Sequence, residues 1–121
     1  MAAGNKRQVG GIYEQKAADY LSRQGFRIIE HNFYSRFGEI DLIAKDGKYL
    51  VFIEVKYRRD SACGTPLEAV TLKKQKRICR TALYYCGKNG YGDSTPCRFD
   101  VVAIEGEGAA LHIKGAFDFI Y

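Results

Sequence analysis

The sequence has no long hydrophobic run, no closely paired cysteines and no apolar stretch near its N-terminus. Its longest aliphatic and aromatic run covers only residues 49–53. A helix needs ~20 apolar residues to cross a bilayer, so we expect no membrane segment. The charged N-terminus lacks the apolar stretch of a secretory signal. These absences favour a cytoplasmic protein.

The four cysteines, at positions 63, 79, 86 and 97, form no Cys-x-x-Cys pair. Zinc sites usually bring their ligands in such close pairs, so the spacing disfavours a structural zinc. In a reducing compartment the cysteines are expected to be free thiols. His31 and His112 stand apart from each other in the sequence, and we interpret them as surface or structural residues.

The chain has no internal repeat and no low-complexity linker, and its 121 residues match the length of one domain. We predict a flexible N-terminal arm over residues 1–9 and a single domain over residues 10–121.

The positive charge is concentrated in one part of the chain. The whole chain carries +5, whereas residues 56–88 contain nine basic and two acidic residues, a net +7. Such a concentration indicates an anionic partner, of which nucleic acid is the first candidate, although a solvated helix face has the same pattern. The basic residues that we predict to contact nucleic acid are Arg58, Arg59, Lys73, Lys76, Arg77 and Arg80.

The apolar pattern predicts two helices and five strands. The predicted helices cover residues 11–24 and 65–86, and the predicted strands cover residues 26–33, 39–44, 49–57, 98–104 and 109–113. Asp46-Gly47 predicts a two-residue hairpin turn, and Gly25 and Gly87 predict the helix ends. The order of elements predicts an α/β fold, with a mixed sheet of a three-stranded meander plus further strands, flanked by helices.

The start of the second predicted helix carries a capping pattern. Thr65 can cap the helix, Pro66 suits its first position, and Glu68 completes a capping box. In this helix, the basic residues 73, 76, 77 and 80 share one face.

Carboxylates and a lysine stand in strands that are predicted to be buried. Strand residues two apart share a face, so Glu54 projects with Lys56, and Glu39 projects with Asp41. With Asp46-Gly47 as the turn, Lys45 would pair with Lys48, which sets Asp41 opposite residue 52 and Glu39 opposite Glu54. Asp41 and Glu54 would then be diagonal neighbours on one face, ~7–8 Å apart at the backbone.

A buried charge is costly unless it is paired or bound to a metal. Facing carboxylates form a candidate site for Mg²⁺, near which Lys56 could orient a water or stabilise charge on a phosphate. The alternative is a buried salt bridge from Lys56 to Glu54 or Asp41. Glu14, on the apolar stripe of the first helix, either adds an acidic ligand or interacts favourably with the helix dipole.

Two segments carry a resemblance to a known family. Gly-Glu-Ile-Asp-Leu-Ile at 38–43 and Val-Phe-Ile-Glu-Val-Lys-Tyr-Arg at 51–58 resemble the acidic residue, spacer and (Asp/Glu)-x-Lys of the restriction-endonuclease-like, PD-(D/E)xK nucleases. The pattern is similar in particular to the YraN-like family of predicted endonucleases, which are distantly similar to archaeal Holliday-junction resolvases. Ile40 stands where the superfamily's motif name has proline.

The resemblance implies phosphodiester hydrolysis that depends on Mg²⁺ or Mn²⁺. It implies that Glu14, Asp41 and Glu54 help to bind the metal, with the Val55 carbonyl as a further ligand. Lys56 would position the attacking water or stabilise the transition state. The same resemblance implies that the second helix brings Lys74 or Gln75 to the site, where Glu39 is a further auxiliary residue.

The first functional hypothesis is therefore a metal-dependent endonuclease acting on DNA, including branched or structured DNA. The alternative is a non-catalytic nucleic-acid-binding protein that keeps the fold and acts through a partner. A third reading is an acidic cluster with a purely structural role. A homodimer would suit a two-stranded substrate.

Overall fold

A computed structural model describes residues 2–59, 64–106 and 108–120, and for residues 2–10 it describes the backbone alone. The chain order of elements is helix, three strands, a short 3₁₀ helix, helix and two strands. The elements are α1 (Ala2–Arg23), β1 (Arg27–Ser35), β2 (Gly38–Asp46), β3 (Tyr49–Arg58), a 3₁₀ helix (Pro66–Ala69), α2 (Leu72–Lys88), β4 (Cys97–Glu105) and β5 (Ala110–Phe117).

The five strands form one sheet in the order β1-β2-β3-β4-β5. Strands β3 and β4 are parallel, and the other neighbours are antiparallel. The parallel pair requires a crossover, which the 3₁₀ helix and α2 supply. The predicted α/β fold, with a mixed sheet that begins as a three-stranded meander, is confirmed.

The sheet is covered by α1 on one face and by α2 on the other. Ala17 and Leu21 of α1 pack in one buried cluster with Ile53, whereas Ile78 of α2 packs in a second cluster with Phe52. Successive strand residues point to opposite faces, so Phe52 and Ile53 place β3 between the two layers. This confirms that β3 is buried on both faces.

The predicted register of the β2–β3 hairpin was wrong. Asp46 pairs with Tyr49 and Lys45 with Leu50, so the turn consists of Gly47 and Lys48. Gly47 takes a φ of 57°, as the first central residue of such a turn requires. The glycine therefore starts the turn and does not end it.

The corrected register changes the partners of the acidic residues. Phe52 pairs with Ile43 and not with Asp41, and the ladder ends at the pair of Leu42 with Ile53. One step further along this register, Asp41 lies beside Glu54. The predicted pairing of two glutamates does not occur.

The second predicted helix is two elements. The Thr65 hydroxyl accepts the Glu68 N–H as predicted, but the turn that it caps is a 3₁₀ helix that ends at Ala69. Thr71, in an extended conformation, caps α2 by accepting the N–H of Lys74 at 3.2 Å. The second cap sets the start of α2 and fixes the backbone of Lys74.

The predicted end of this helix at Gly87 was also wrong. Gly87 lies inside α2, whose C-terminal cap is Asn89. Gly90, with a φ of 77°, turns the chain so that the N–H of Tyr91 donates to the carbonyl of Cys86 at 2.9 Å. This bond is the 6→1 bond of a Schellman motif, so the second of two nearby glycines ends the helix.

Helix α1 begins at Ala2 and not at the predicted Gly11. The prediction started too late because the segment before Gly11 has no apolar periodicity that would indicate a helix. Its C-terminal stop is as predicted: Gly25 has a φ of 92°, and Phe26 N–H donates to the carbonyl of Leu21 at 3.0 Å. The flexibility predicted for the N-terminal arm and the single-domain boundary stay predictions.

Among the described helices, none is long and apolar enough to cross a membrane. Cys79, Cys86 and Cys97 are free thiols. The predicted thiol at Cys63 lies outside the described residues.

Candidate active site

Asp41 and Glu54 lie where β2 and β3 separate. The N–H of Val55 donates to Asp41 Oδ2 at 2.8 Å, just beyond the last backbone pair of the two strands. Glu54 shares the α2 face of the sheet with Phe52 and is only 6% exposed. The strand geometry thus places two carboxylates together at the edge of the core.

Two lysines converge on Glu54. The ammonium nitrogen of Lys74 lies 2.5 Å from Glu54 Oε1, and that of Lys56 lies 3.4 Å from the same oxygen. Lys56 comes from the same strand face, whereas Lys74 comes from the first turn of α2. The site therefore joins two strands and a helix that are distant in sequence.

The carboxyl of Asp41 is in an environment that opposes its charge. Burial, followed by the negative charge of Glu54, raises the pKa of Asp41 to about 8, although the Val55 N–H works in the opposite direction. Charge–charge interactions with Glu14 and Glu39 raise the pKa further. Shifts of this kind are common where a protein binds metal ions or performs acid–base chemistry.

The two lysines respond differently to the same site. Burial and the neighbouring Lys74 lower the pKa of Lys56 below that of an ordinary lysine. Burial also opposes the charge of Lys74, but its hydrogen bond and ion pair with Glu54 raise its pKa overall. Of the two ammonium groups at Glu54, that of Lys74 therefore holds its proton more tightly than that of Lys56.

Glu14 approaches from α1, and a residue that the sequence did not single out holds it. Burial raises the pKa of Glu14, a hydrogen bond with Asn32 lowers it, and the charges of Glu39 and Glu54 raise it again. Asn32 has a φ of 51°, and in the β1–β2 register it falls opposite Asp41. Asparagine tolerates this left-handed conformation better than most residues, but β1 contains several polar residues, so nothing in the sequence distinguished Asn32.

The oxygen donors of this site meet the needs of one kind of metal ion. Within the described part of the chain, no group of three or more His, Cys, Asp or Glu residues is arranged to hold a metal ion by itself. Asp41 and Glu54 offer carboxylate oxygens, and Val55 offers a carbonyl oxygen. Mg²⁺ is commonly held by one or two carboxylates, its waters and the phosphate of a substrate, so this donor set suits it.

Of the three residues predicted to assist at the site, one contacts Glu54 and the other two do not contact it in the structure. Lys74 reaches the site, whereas the Gln75 amide donates to the carbonyl of Val70 at 3.0 Å, at the start of its own helix. Glu39 is exposed and lines an open pocket of about 550 Å³ together with Lys73, Lys74 and Arg77. This pocket, which we call the basic groove, adjoins Glu54 through Lys74.

The basic residues predicted to contact nucleic acid differ in their exposure. Arg59 on the chain after β3 and four residues of α2 are exposed, as contact with a phosphate backbone requires: Lys73, Lys76, Arg77 and Arg80. Arg58 instead pairs with Glu105 at 2.9 Å and donates to the carbonyl of Gly64. Its guanidinium is therefore engaged within the protein.

Asp100 forms a separate polar cluster. Its carboxylate accepts from Arg98 Nε at 2.9 Å and from the N–H of Gly115 at 3.0 Å, and it lies 2.8 Å from Nε2 of His112. The side chain of His112 is nearly buried, which agrees with its interpretation as a structural residue. These residues hold β4 and β5 together and contribute nothing to the pair of Asp41 and Glu54.

Comparison with known proteins gives a consistent family assignment. Residues 13–104 match the profile of the uncharacterised protein family UPF0102. The chain is 51% identical to a UPF0102 protein of Lachnoclostridium phytofermentans, over 94% of this chain and 96% of that protein. It is 54% identical to one of Symbiobacterium thermophilum, over 82% and 83% of the two chains. A UPF0102 protein of Chromohalobacter salexigens is 45% identical over 94% of each chain.

Proposed function

The chain belongs to the uncharacterised protein family UPF0102, and we propose that it is a metal-dependent endonuclease that hydrolyses phosphodiester bonds in DNA. The observation that carries the proposal is the pairing of Asp41 with Glu54, two carboxylates held beside Lys56 and Lys74 at the edge of a basic groove. This set agrees with the resemblance to the YraN-like predicted endonucleases of the PD-(D/E)xK superfamily.

Asp41 and Glu54 would hold a Mg²⁺ or Mn²⁺ ion, with Glu14 and the Val55 carbonyl as further donors. When bound, the ion would neutralise charge on the scissile phosphate and lower the pKa of a bound water. The raised pKa of Asp41 supports this assignment, because a cation there would relieve the repulsion that now opposes ionisation.

Lys56 would act on the reacting phosphate. Its ammonium lies 3.4 Å from Glu54 and is half-buried, so it can stabilise developing negative charge or orient the attacking water. Its lowered pKa suits a group that exchanges a proton during the reaction. Lys74 would hold the Glu54 carboxylate in position from the first turn of α2.

The exposed cations of α2 would hold the substrate. Lys73 and Arg77 line the basic groove, so a strand whose phosphates lie along them would pass beside Glu54. Contacts of this kind bind the backbone and not the bases, which suits recognition of a DNA shape over a sequence.

The test is a cleavage panel with Mg²⁺ or Mn²⁺ on linear, nicked, flapped and four-way DNA, beside structured RNA. We expect cleavage by the wild type and a loss of at least ~10²-fold for Asp41→Ala and for Lys56→Ala. Lys88→Ala, which changes an exposed lysine at the far end of α2, should cleave like the wild type.

Two results would contradict the proposal. Equal cleavage by the wild type, Asp41→Ala and Lys56→Ala would indicate a contaminating nuclease. Salt-dependent binding without cleavage under either metal would instead favour the non-catalytic nucleic-acid-binding alternative.

A further inference from the structure

An aromatic pair, the exposed Tyr84 and the partly buried Phe37, continues the basic face of α2. Tyr84 is 44% exposed, and its ring centroid lies 6.2 Å from that of Phe37 in the β1–β2 turn. The neighbouring Tyr85 is buried in the core, so Tyr84 is the tyrosine of this adjacent pair that is accessible at the surface.

The position of Tyr84 follows the helical repeat of the cations. Residues 73, 77, 80 and 84 stand at i, i+4, i+7 and i+11, which places Lys73, Arg77, Arg80 and Tyr84 on one stripe of α2. All four side chains are exposed. The stripe therefore runs from the basic groove to an aromatic ring.

The β1–β2 turn lies directly against this stripe. A Cβ added to Gly38 would lie only 3.7 Å from the Arg77 Cβ, which shows how closely the turn approaches α2. Phe37 precedes this glycine, and the Arg36 guanidinium lies 4.9 Å from the Phe37 ring centroid. The turn thus adds a ring and a cation to the same surface.

The distance between Tyr84 and the carboxylates of the candidate site corresponds to a few nucleotides. Lys74, which contacts Glu54, precedes Tyr84 by ten residues, or about 15 Å along a helix. One strand of a duplex advances about 3.4 Å per nucleotide, so the ring would lie on the order of four nucleotides from the carboxylates. A base in a duplex is stacked and paired, and cannot reach a protein ring there without leaving the helix.

We propose that Phe37 and Tyr84 form a stacking platform for an unpaired base of a nucleic acid whose phosphates lie along Lys73, Arg77 and Arg80. The inference rests on the proposed function and names its substrate class, a nucleic acid with a single-stranded segment beside the cleaved bond. Aromatic rings interspersed with cations are the usual means of binding unpaired strands, because every base has a face to stack.

The test compares Tyr84→Ala with two matched variants, in EDTA so that no cleavage occurs. Leu83→Ala removes a neighbouring side chain that is 47% exposed, and Tyr84→Phe keeps the ring. The probes are short single-stranded DNA and RNA, a blunt DNA duplex, and a flapped duplex with one 2-aminopurine in its single-stranded arm. Affinity is measured by fluorescence anisotropy, and stacking by quenching of the 2-aminopurine.

A stacked base contributes ~1–3 kcal/mol, so Tyr84→Ala should lose roughly 5-fold to 150-fold in affinity for the single strands and the flap. The duplex should be bound almost as before, and the quenching seen with the wild type should disappear. Tyr84→Phe should restore both, and Leu83→Ala should behave like the wild type. A preference between the single-stranded DNA and RNA probes identifies the type of strand that is bound.

The contrary results are distinct. If Tyr84→Ala and Leu83→Ala bind every probe like a wild type that still cleaves DNA, the platform is wrong and the nuclease proposal stands. An equal loss on duplex and single strand would reassign Tyr84 to backbone binding and also overturn the platform. If the wild type binds none of the probes, both proposals fail.

Discussion

The carboxylate of Asp41 accepts the backbone N–H of Val55 at 2.8 Å, across the point where the β2–β3 ladder ends. Since Val55 follows Glu54 in the strand, this hydrogen bond holds the Asp41 side chain beside Glu54. This hydrogen bond favours the ionised carboxylate, but burial and the charge of Glu54 oppose it more strongly. Asp41 is thus fixed in a place where its negative charge is unfavourable.

The stability of the metal-free protein should fall as the pH rises from about 4 to 8. The ordinary pKa of Asp41 is 3.8 and its folded value is about 8, so the folded state binds more protons between these values. Stability decreases with pH wherever the folded state binds the extra proton.

The variant Asp41→Asn removes this penalty and should be more stable than the wild type at pH 8, with a flatter pH profile. A change of ~1 kcal/mol shifts Tm by roughly 4 °C at this chain length. Thermal unfolding in EDTA measures the effect, and Asp19→Asn, on the exposed face of α1, is the control. A wild type and an Asp41→Asn variant with parallel Tm profiles between pH 5 and 8 would refute the assignment.

Mg²⁺ or Mn²⁺ should stabilise the wild type, because a ligand that binds only the folded state raises its stability by about 2.7 kcal/mol at 100 times its Kd. The increase in Tm should be larger at pH 8 than at pH 6, since a protonated Asp41 cannot ligate an ion. Asp41→Asn and Glu54→Gln should lose most of the increase. An undiminished increase in both variants would place the ion elsewhere and favour a structural role for the acidic cluster.

The sequence predicted the elements and the acidic motif better than their mutual positions. Helices and strands follow from local periodicity and caps, and the strand spacing alone placed Glu54 and Lys56 on one face. The hairpin register failed because Asp46-Gly47 and Gly47-Lys48 differ by one position along the chain. The predicted register made Asp41 and Glu54 diagonal neighbours, whereas the observed register sets them side by side, one step beyond the pair of Leu42 with Ile53.

The contacts that complete the site are long-range or involve unusual backbone geometry. Thr71, and not Thr65, caps α2, which puts Lys74 in the first turn of the helix, where its ammonium contacts Glu54. Asn32 reaches Glu14 from a left-handed conformation inside a strand. Neither contact can be predicted from sequence periodicity, because each depends on how a helix packs against a strand.

The exposed cations of α2 should set the salt dependence of nucleic-acid binding. Each phosphate contact that is lost lowers the slope of log K against log salt by about one. Arg77→Ala and Arg80→Ala should each show this change. Arg58→Ala should leave the slope unaltered and lower stability instead, since Arg58 is paired with Glu105. The reverse pattern, with a reduced slope only for Arg58→Ala, would move the interface away from α2.

Lys74 and Lys56 should have separable roles in cleavage. Removal of Lys56 takes away the group proposed to act on the reacting phosphate, and we expect a loss of ~10²–10³-fold in kcat. Lys74→Ala removes the nearer of the two ammonium groups at Glu54 and keeps the one at 3.4 Å, so we expect a smaller loss of about tenfold. Single-turnover rates at saturating DNA measure both, with Lys88→Ala as the exposed control at the far end of the same helix. A Lys74→Ala rate equal to that of Lys88→Ala would show that the contact with Glu54 is irrelevant to catalysis.

The cluster around Asp100 should contribute to stability and not to the chemistry. Asp100 is 1% exposed and is surrounded by Arg98, His112 and the N–H of Gly115. The pKa of Asp100 is lowered, because these hydrogen bonds outweigh the effect of its burial. Its stabilisation is therefore present above pH 3.8 and is lost as the pH falls through the lower folded value.

Asp100→Asn should lose roughly 1–3 kcal/mol of unfolding free energy at pH 7, because it weakens the charged hydrogen bonds at this buried position, although Arg98 keeps its ion pair with Asp46 at 2.9 Å. Urea unfolding measures the loss, and Asp118→Asn, an exposed change near the C-terminus, should cost little. Cleavage per folded molecule should be unchanged well below the unfolding midpoint. A folded Asp100→Asn protein with normal stability but no cleavage would instead connect this cluster to the active site.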